Sequence, residues 1–421
     1  MTTFTSALPC LTADVPPVGA AIRRHLADFE VDEIPAYLPS GDGDHVYFRI
    51  EKSGLATSRA VREIARALGA APRDVGFAGQ KDAGGVTRQT LSLEHVDPDR
   101  VRALDLPRIR VLEVSRHRNK LRMGHLKGNR FRLLLREVAP DRVGDIRTVL
   151  ALLGSRGAPN YFGDQRFGLR GDTGETGRAL LAGDFGAAAE IVAGRPGDAD
   201  SGPVLEARTL FARGAFEEAA RAWPRGFDEA RRVCLAMLRF RGDPRRAMMS
   251  LDRRALGFYV SAFQSQVFNA VVAARVRGLD RVMQGDLAWK HDSGAVFRVD
   301  DPAAEQQRTD AFEISPTGPL FGPRMTEPRD EPARMEDDAL ASAGVDRRAF
   351  EAKGPLSCPG GRRPLRFRPE GAEVEPGSDE HGPFLELRFT LSPGCYATAI
   401  LREIGKDRLQ EDDPIATRSR P

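Results

Sequence analysis

Cysteine is scarce in this 421-residue chain, and the little there is carries no pattern. Cys10, Cys234, Cys358 and Cys395 lie far apart, with no CxxC pair and no Cys/His pairing at zinc spacing. That argues against a disulfide scaffold and a zinc finger, and fits reduced thiols in a cytoplasm. Histidine is nearly as sparse. The seven residues are scattered, without the nucleophile–histidine pairing or metal cluster that a hydrolase requires. No apolar run approaches the roughly 20 residues of a membrane span. The N-terminus has no basic segment followed by an apolar one, so no secretory signal is expected. Excess charge of one sign is missing too: 63 Lys and Arg stand against 60 Asp and Glu, a net charge of +3. Whole-chain charge therefore points to no class of partner.

What is present is an ordinary soluble composition, 41% hydrophobic and 29% charged, long enough for two or three domains with ample core. Charge becomes informative locally. From residue 108 to residue 136 there are ten Lys or Arg and one acid, Glu113. Such runs are ordinarily solvated faces. Here the cations have almost nothing to pair with, and a polyanion that binds by displacing counterions is the second reading. The other concentration of chemistry is Gly76-Phe-Ala-Gly-Gln-Lys-Asp-Ala-Gly-Gly-Val-Thr-Arg-Gln89. Four glycines in fourteen residues would let the backbone take positive φ and approach a ligand closely. The turn carries Lys81 and Asp82, with Arg88 on the way out. A carboxylate held between cations stays ionised, as a nucleophile or charge stabiliser must. Asp before Ala-Gly-Gly is equally the chemistry of a plain turn, its side chain capping its own backbone.

Periodicity supplies the frame. Residues 45–50 alternate, with Val46, Phe48 and Ile50 on one face, and predict a strand. Thr57 or Ser58 can cap a helix carrying Ala60, Val61, Ile64 and Leu68 and closed by Gly69. Strand, helix and Gly-rich turn together would present Asp82 at the edge of a sheet. Phe29 and Val31 alternate with acids, as on a half-buried strand. Residues 125–129 read as a turn, after which Phe131, Leu133 and Leu135 share a strand face. A helix is expected over 141–153, capped by Asp141 and ended by Gly154, with a domain boundary at Gly157-Ala-Pro159. Helical patterns dominate from 173 to about 277, most clearly over 258–276. Residues 302–332, rich in Pro, Gly and charge, read as irregular linking structure. Leu385, Leu387, Phe389 and Leu391 then share a strand face, followed by a short helix over 395–403.

With four further stretches, the Gly-rich turn resembles the landmarks of the TruD-type tRNA pseudouridine synthases. Gly79-Gln-Lys-Asp-Ala83 with Val86-Thr-Arg-Gln89 is similar to that family's catalytic motif. His125-Leu-Lys-Gly-Asn-Arg-Phe131, Pro159-Asn-Tyr-Phe-Gly-Asp-Gln-Arg-Phe-Gly168, Ser261-Ala-Phe-Gln-Ser-Gln-Val-Phe-Asn269 and Gly394-Cys-Tyr-Ala-Thr398 follow in the family's order. The resemblance runs from about residue 29 to about residue 403. It implies an α+β fold: a pseudouridine-synthase-like catalytic domain with a mixed, mainly antiparallel sheet, assembled from residues 1–157 and 353–421. A mostly helical domain, 158–352, would be inserted in it and form the other wall of an RNA-binding cleft.

The implied reaction is isomerisation of a uridine in tRNA, expected at position 13 of the D arm. Asp82 would act at C1′, with no cofactor and no metal, in a cytoplasmic protein expected to be a monomer. By the same resemblance Phe131 stacks on the uracil, while Phe29, Asn129 and Tyr396 position the nucleotide. Tyr396 stands where the family usually carries phenylalanine; it keeps the stacking face and adds a hydroxyl that needs a partner. Arg23, Lys81, Arg88 and Arg166 are candidate supporting residues. Each assignment has a plainer alternative: core packing for Phe29 and Phe131, a local turn bond for Asn129, the open surface for Arg23, a structural contact for Lys81 and Arg88, a packed loop for Arg166. The alternative functions are pseudouridylation of another RNA and a non-catalytic RNA-binding or remodelling protein on the same scaffold. Binding alone has no use for a carboxylate beside RNA, so the Lys81-Asp82 pair argues against the last. Attack at C1′ and glycal formation use the same acid and both stay open.

Overall fold

A computed structural model describes residues 8–411. The chain divides into two compact units. Among the described residues, one comprises Thr12–Ala158 and 367–411; the other is Pro159–Arg366 with residues 8–11. The return to the first unit thus falls at 366/367, where the sequence suggested 352/353. Residues 353–366 stay with the second unit because Gly361–Pro364 is a strand there, paired antiparallel with Ile314–Leu320.

The first unit is built on a ten-stranded sheet. Its strands are β1 (Ala20–Ile22), β2 (Phe29–Pro35), β3 (His45–Ser53), β4 (Gly76–Phe77), β5 (Val86–Glu94), β6 (Ile109–His117), β7 (Leu126–Arg136), β8 (Glu370–Asp379), β9 (Gly382–Leu391) and β10 (Leu409–Glu411). The main path runs β8-β9-β7-β2-β5-β3-β6. Pairing is antiparallel except between β2 and β5 and between β1 and β10. Strands from both ends of the chain share the sheet: Leu385, Leu387 and Phe389 of β9 stand opposite Leu135, Leu133 and Phe131 of β7.

Alternation gives the sheet two chemically different faces. On the front, Val46, Phe48 and Ile50 of β3 and Leu91 and Leu93 of β5 form one core with Ala60, Val61, Ile64 and Leu68 of the helix Thr57–Leu68. That helix closes on Gly69, whose φ is 74°. Its N-cap is Ala56, without a side-chain cap bond, so neither Thr57 nor Ser58 caps it; the Thr57 hydroxyl is used elsewhere, as described below. The back is laced with ions. Arg88 bonds Glu30, Asp32 and Glu51; Arg132 bonds Glu30 and Glu386; Arg49 pairs with Asp32 and Glu113. Partly exposed pairs of this kind contribute little each, but they let a broad antiparallel face meet water.

Two helix ends differ from expectation. The helix near residue 150 is Val143–Arg156, preceded by a short 3-10 turn that contains Asp141, and it ends at Gly157 with φ 90°. Gly154 lies inside it. The helix after Leu391 is Ala397–Gly405.

In the second unit seven helices run from Thr173 to Arg275. The longest, Arg253–Arg275, starts ahead of residue 258 because the Asp252 carboxylate accepts from the Ala255 N–H. Its Val260, Phe263 and Val267 sit in one core with Trp223, Phe321 and Phe350. The stretch expected to be irregular holds a helix, Pro302–Asp310, and a strand, Ile314–Leu320, the latter in a four-stranded sheet. Asp301 caps the helix and Pro302 takes its first position, a start signal that the richness in proline concealed. No helix among the described residues is long and apolar enough to cross a membrane.

Candidate active site

The turn 81–85 joins β4 to β5 and lies directly against the start of β2. Gly85 makes that approach possible: a Cβ there would stand 2.2 Å from the Phe29 carbonyl oxygen. Gly76 is equally confined, 2.3 Å from the Leu121 carbonyl oxygen by the same measure. None of Gly76, Gly79, Gly84 and Gly85 has positive φ. Gly76 and Gly85 serve close packing of backbone on backbone, while Gly79 and Gly84 face the side chains of Lys81 and Arg23; the left-handed geometry expected of the four is not used.

Three side chains hold the main chain of this turn. Lys52, on the front of β3, is 1% exposed. Its ammonium donates to the carbonyls of Leu55 at 2.5 Å, Asp82 at 3.1 Å and Lys81 at 3.4 Å. The Thr57 hydroxyl accepts from the Lys81 N–H at 2.8 Å and donates to Gln89 Oε1 at 2.8 Å. Lys81 turns inward and meets Glu33 at 2.6 Å, both side chains buried; the other Glu33 oxygen accepts from the Thr90 N–H at 3.2 Å. A buried pair is costly to desolvate and holds only with such added bonds. Its ammonium, so placed, is not available to a phosphate.

Asp82 is the exception in this turn. Its backbone is fixed from β3, while its carboxylate is exposed and makes no hydrogen bond or ion pair among the described residues. Burial lowers the Lys52 ammonium from 10.5 to about 8, and the nearby Asp82 carboxylate opposes that shift.

Aromatic rings stand beside the turn's anchor. Register places Val31, Phe131 and Phe389 side by side on adjacent strands. Phe131 stacks on Phe389 with centroids 5.3 Å apart and meets Phe29 edge-on at 6.3 Å. Both Phe29 and Phe131 are buried, so their present contacts are those of core residues. The Arg23 guanidinium covers the Phe29 ring at 4.0 Å. It also lies against Gly84, where a Cβ would be 3.3 Å from Arg23 Nη1. Arg23 is buried rather than on the open surface, adopts φ 59°, and its ion partner is Glu411 at 2.7 Å, not Asp82.

Asn129 belongs to β7, not to a turn, opposite Glu33 on one side and Leu391 on the other. Its Oδ1 is buried and unpartnered, as is Oγ1 of Thr87, which pairs in register with Val31 and Lys52. Buried polar atoms almost always find a partner. Two orphans on the face that also carries Phe131 and Lys52 are the groups a bound polar ligand would satisfy.

The remaining candidates are dispersed. Arg88 points to the back of the sheet and is engaged by three carboxylates. Tyr396 immediately precedes the helix Ala397–Gly405, with 39% of its surface exposed. Arg166 belongs to the second unit, donating to Ser261 Oγ at 2.7 Å and Ser265 Oγ at 3.2 Å. Lys52, Glu33 and Thr87 were not singled out from the sequence. A signal existed for the first two: Lys52 continues the inward register of Val46, Phe48 and Ile50, and Glu33 that of Phe29 and Val31. Charges at inward positions of an alternating strand ask for a buried role.

Comparison with known proteins identifies the family of the chain. Residues 7–404 match the family model described as tRNA pseudouridine synthase D (TruD). A tRNA pseudouridine synthase D from Geobacter metallireducens is 47% identical over 396 residues, covering 94% of this chain and 97% of the relative. One from Geobacter sulfurreducens is 46% identical, with 94% and 96% covered. A solved structure of a TruD candidate from Methanosarcina mazei shares the fold, with a TM-score of 0.82 at 24% identity, covering 96% of this chain and 97% of that one. The chain belongs to the tRNA pseudouridine synthase D family.

Proposed function

We propose that this protein isomerises a uridine of tRNA to pseudouridine, at position 13 of the D arm, with Asp82 acting at C1′ and no cofactor. The reaction breaks the C1′–N1 bond, rotates the uracil and rejoins it through C5. Atoms and electrons balance within the nucleotide, so the protein must supply only a carboxylate at C1′ and a pocket for the detached base. The carrying observation is Asp82: an exposed, unpartnered carboxylate on a main chain clamped by Lys52 and Thr57. Fixing the backbone while leaving the reactive group free is what positioning catalysis requires.

In this reading Phe131, with Phe29 and Tyr396, supports the uracil, and the orphaned Asn129 Oδ1 accepts from the imide N–H. Arg23, lying against Gly84, is the cation beside the turn. Lys81 anchors the turn through Glu33. A uridine in a stacked arm must be extruded, at a cost of a few kcal/mol offset by stacking and phosphate contacts. The mostly helical insertion, with Arg166, would add contacts to the RNA.

Tritium release from tRNA labelled at uridine C5 tests the reading, using tRNA that lacks the modification. Wild type should release tritium; Asp82→Asn should bind tRNA normally and release it slower by on the order of 10⁴-fold. Wild-type binding without release would move the assignment to another RNA or to a non-catalytic role.

A further inference from the structure

The back of the sheet carries a concave site that the isomerisation chemistry does not use. Tyr37, Tyr47, Arg49, Glu113, His125 and Arg130 are among the residues lining a cavity of about 320 Å³. Its polar wall is a connected chain. The Tyr37 hydroxyl bonds His125 Nδ1 at 2.8 Å and lies 3.3 Å from the Tyr47 hydroxyl, which donates to the Asn119 carbonyl at 2.9 Å. The Tyr37 ring stacks on His117 with centroids 5.2 Å apart. The acids are internally neutralised, since Arg49 pairs with both Asp32 and Glu113. Leu38, also in the lining, is 80% exposed.

Charge at the rim is not neutralised. Arg49 in the lining, and Arg88 and Arg132 elsewhere on this face, all have carboxylate partners. Arg130, in the lining, and Arg122, in the loop before His125, are exposed, and their side chains make no hydrogen bond or ion pair among the described residues. Cations left unpaired on a face where acids are plentiful call for an anionic ligand. A cavity at the small end of the ligand-binding range, with aromatic rings, a fixed set of hydroxyl and imidazole groups and guanidinium groups at its edge, is the chemistry that holds a single unpaired nucleotide.

We infer that this cavity is a second nucleotide site: it takes an unpaired nucleotide of the RNA substrate other than the target uridine, the base against Tyr37 and Leu38 and the adjoining phosphates on Arg130 and Arg122. The inference rests on the RNA-modifying reading above. Glu33 ties the two sites together, since it lines this cavity and pairs with Lys81, the residue before Asp82.

The test is tRNA affinity and single-turnover tritium release for Tyr37→Ala, Tyr37→Phe and Arg130→Ala in the full chain. Tyr37→Ala should weaken tRNA binding about 10- to 100-fold, the range of one lost base–aromatic stack, with the release rate at saturating tRNA unchanged. Tyr37→Phe should lose less, because it keeps the ring. Arg130→Ala should weaken binding and flatten its salt dependence by about one charge. Photocrosslinking of wild type to tRNA containing 4-thiouridine, mapped by peptide, guards against a Tyr37→Ala chain that does not fold; crosslinks should include the peptide bearing Tyr37. Variants that melt like wild type and bind tRNA equally well would overturn the second site, as would crosslinks that avoid Tyr37. Wild-type release alongside such variants would leave the isomerase reading standing. Crosslinks at Tyr37 without release would leave the second site and remove the isomerase.

Discussion

Lys52 occupies a position that alternation reserves for an apolar side chain, in register with Val46, Phe48 and Ile50 on a strand otherwise packed under a helix. Its three N–H groups meet three carbonyls, those of Leu55, Lys81 and Asp82. The neutral amine has only two N–H groups, so deprotonation gives up one of these three bonds and loosens the turn. With the ammonium lowered to about 8 by burial, kcat/KM of wild type should fall as pH rises through about 8. Unfolding would not explain that limb. A lysine whose folded pKa lies below its ordinary 10.5 binds fewer protons folded than unfolded between the two values, so its contribution to stability rises there with pH. Lys52→Met should be slower than wild type by about tenfold or more, since each orphaned carbonyl costs about 1–3 kcal/mol, and its pH profile should lack the limb. A limb that persists in Lys52→Met would assign it to another group. At this scale the sequence drew attention to residues that a motif carries, Asp82 and Asn129 among them. It was illegible where the role depends on a partner far along the chain, as for Glu33 with Lys81.

The turn that carries Asp82 depends on two neighbouring glycines for different reasons. At Gly85 an added methyl would meet the backbone carbonyl of Phe29 at 2.2 Å, and neither β2 nor the turn can yield without losing register. At Gly84 it would meet the tip of the Arg23 side chain at 3.3 Å, a group that can swing aside. Gly85→Ala should therefore cost about 1–3 kcal/mol of stability and most of the activity, because the Asp82 turn must lift from β2. Gly84→Ala should cost far less of both. Thermal melts and single-turnover rates of the pair check this, and equal effects would show that the turn does not pack as tightly as the glycines suggest. Elements with a clean period were readable beforehand, such as β3, β9 and the helix closed by Gly69. Asn129 was misplaced into a turn because Lys127 and Gly128 break the apolar pattern, although β7 begins at Leu126. The helix and strand within 302–332 were missed because prolines at a helix start and in a paired strand look, in composition, like a linker.

Across the whole molecule the chain enters one unit, leaves at Ala158 and returns at Phe367, so the sheet bearing Asp82 cannot form from either half alone. β9 supplies the neighbour of β7, and without it Phe131, Leu133 and Leu135 lose the strand they face. The second unit is different, because its residues from 159 to 366 are continuous and bring their own core around Trp223. The N-terminal residues kept with it also contribute: the Tyr161 hydroxyl donates to the Pro9 carbonyl at 3.0 Å, and Leu8 and Leu11 pack nearby. A chain ending at Arg366 retains all of these contacts and loses β8, β9 and β10. Both tryptophans, Trp223 and Trp289, report on the second unit and neither on the sheet. That shortened chain should show buried tryptophan emission and a cooperative urea transition in fluorescence, as about 200 residues with a core of their own allow. It should release no tritium from tRNA. Its far-UV signal should be more helical per residue than that of the full chain, since the strands are what fail to form. Red-shifted emission without a cooperative transition would mean that the helical unit needs the sheet to fold, and that the two cores are one folding unit despite their separate packing.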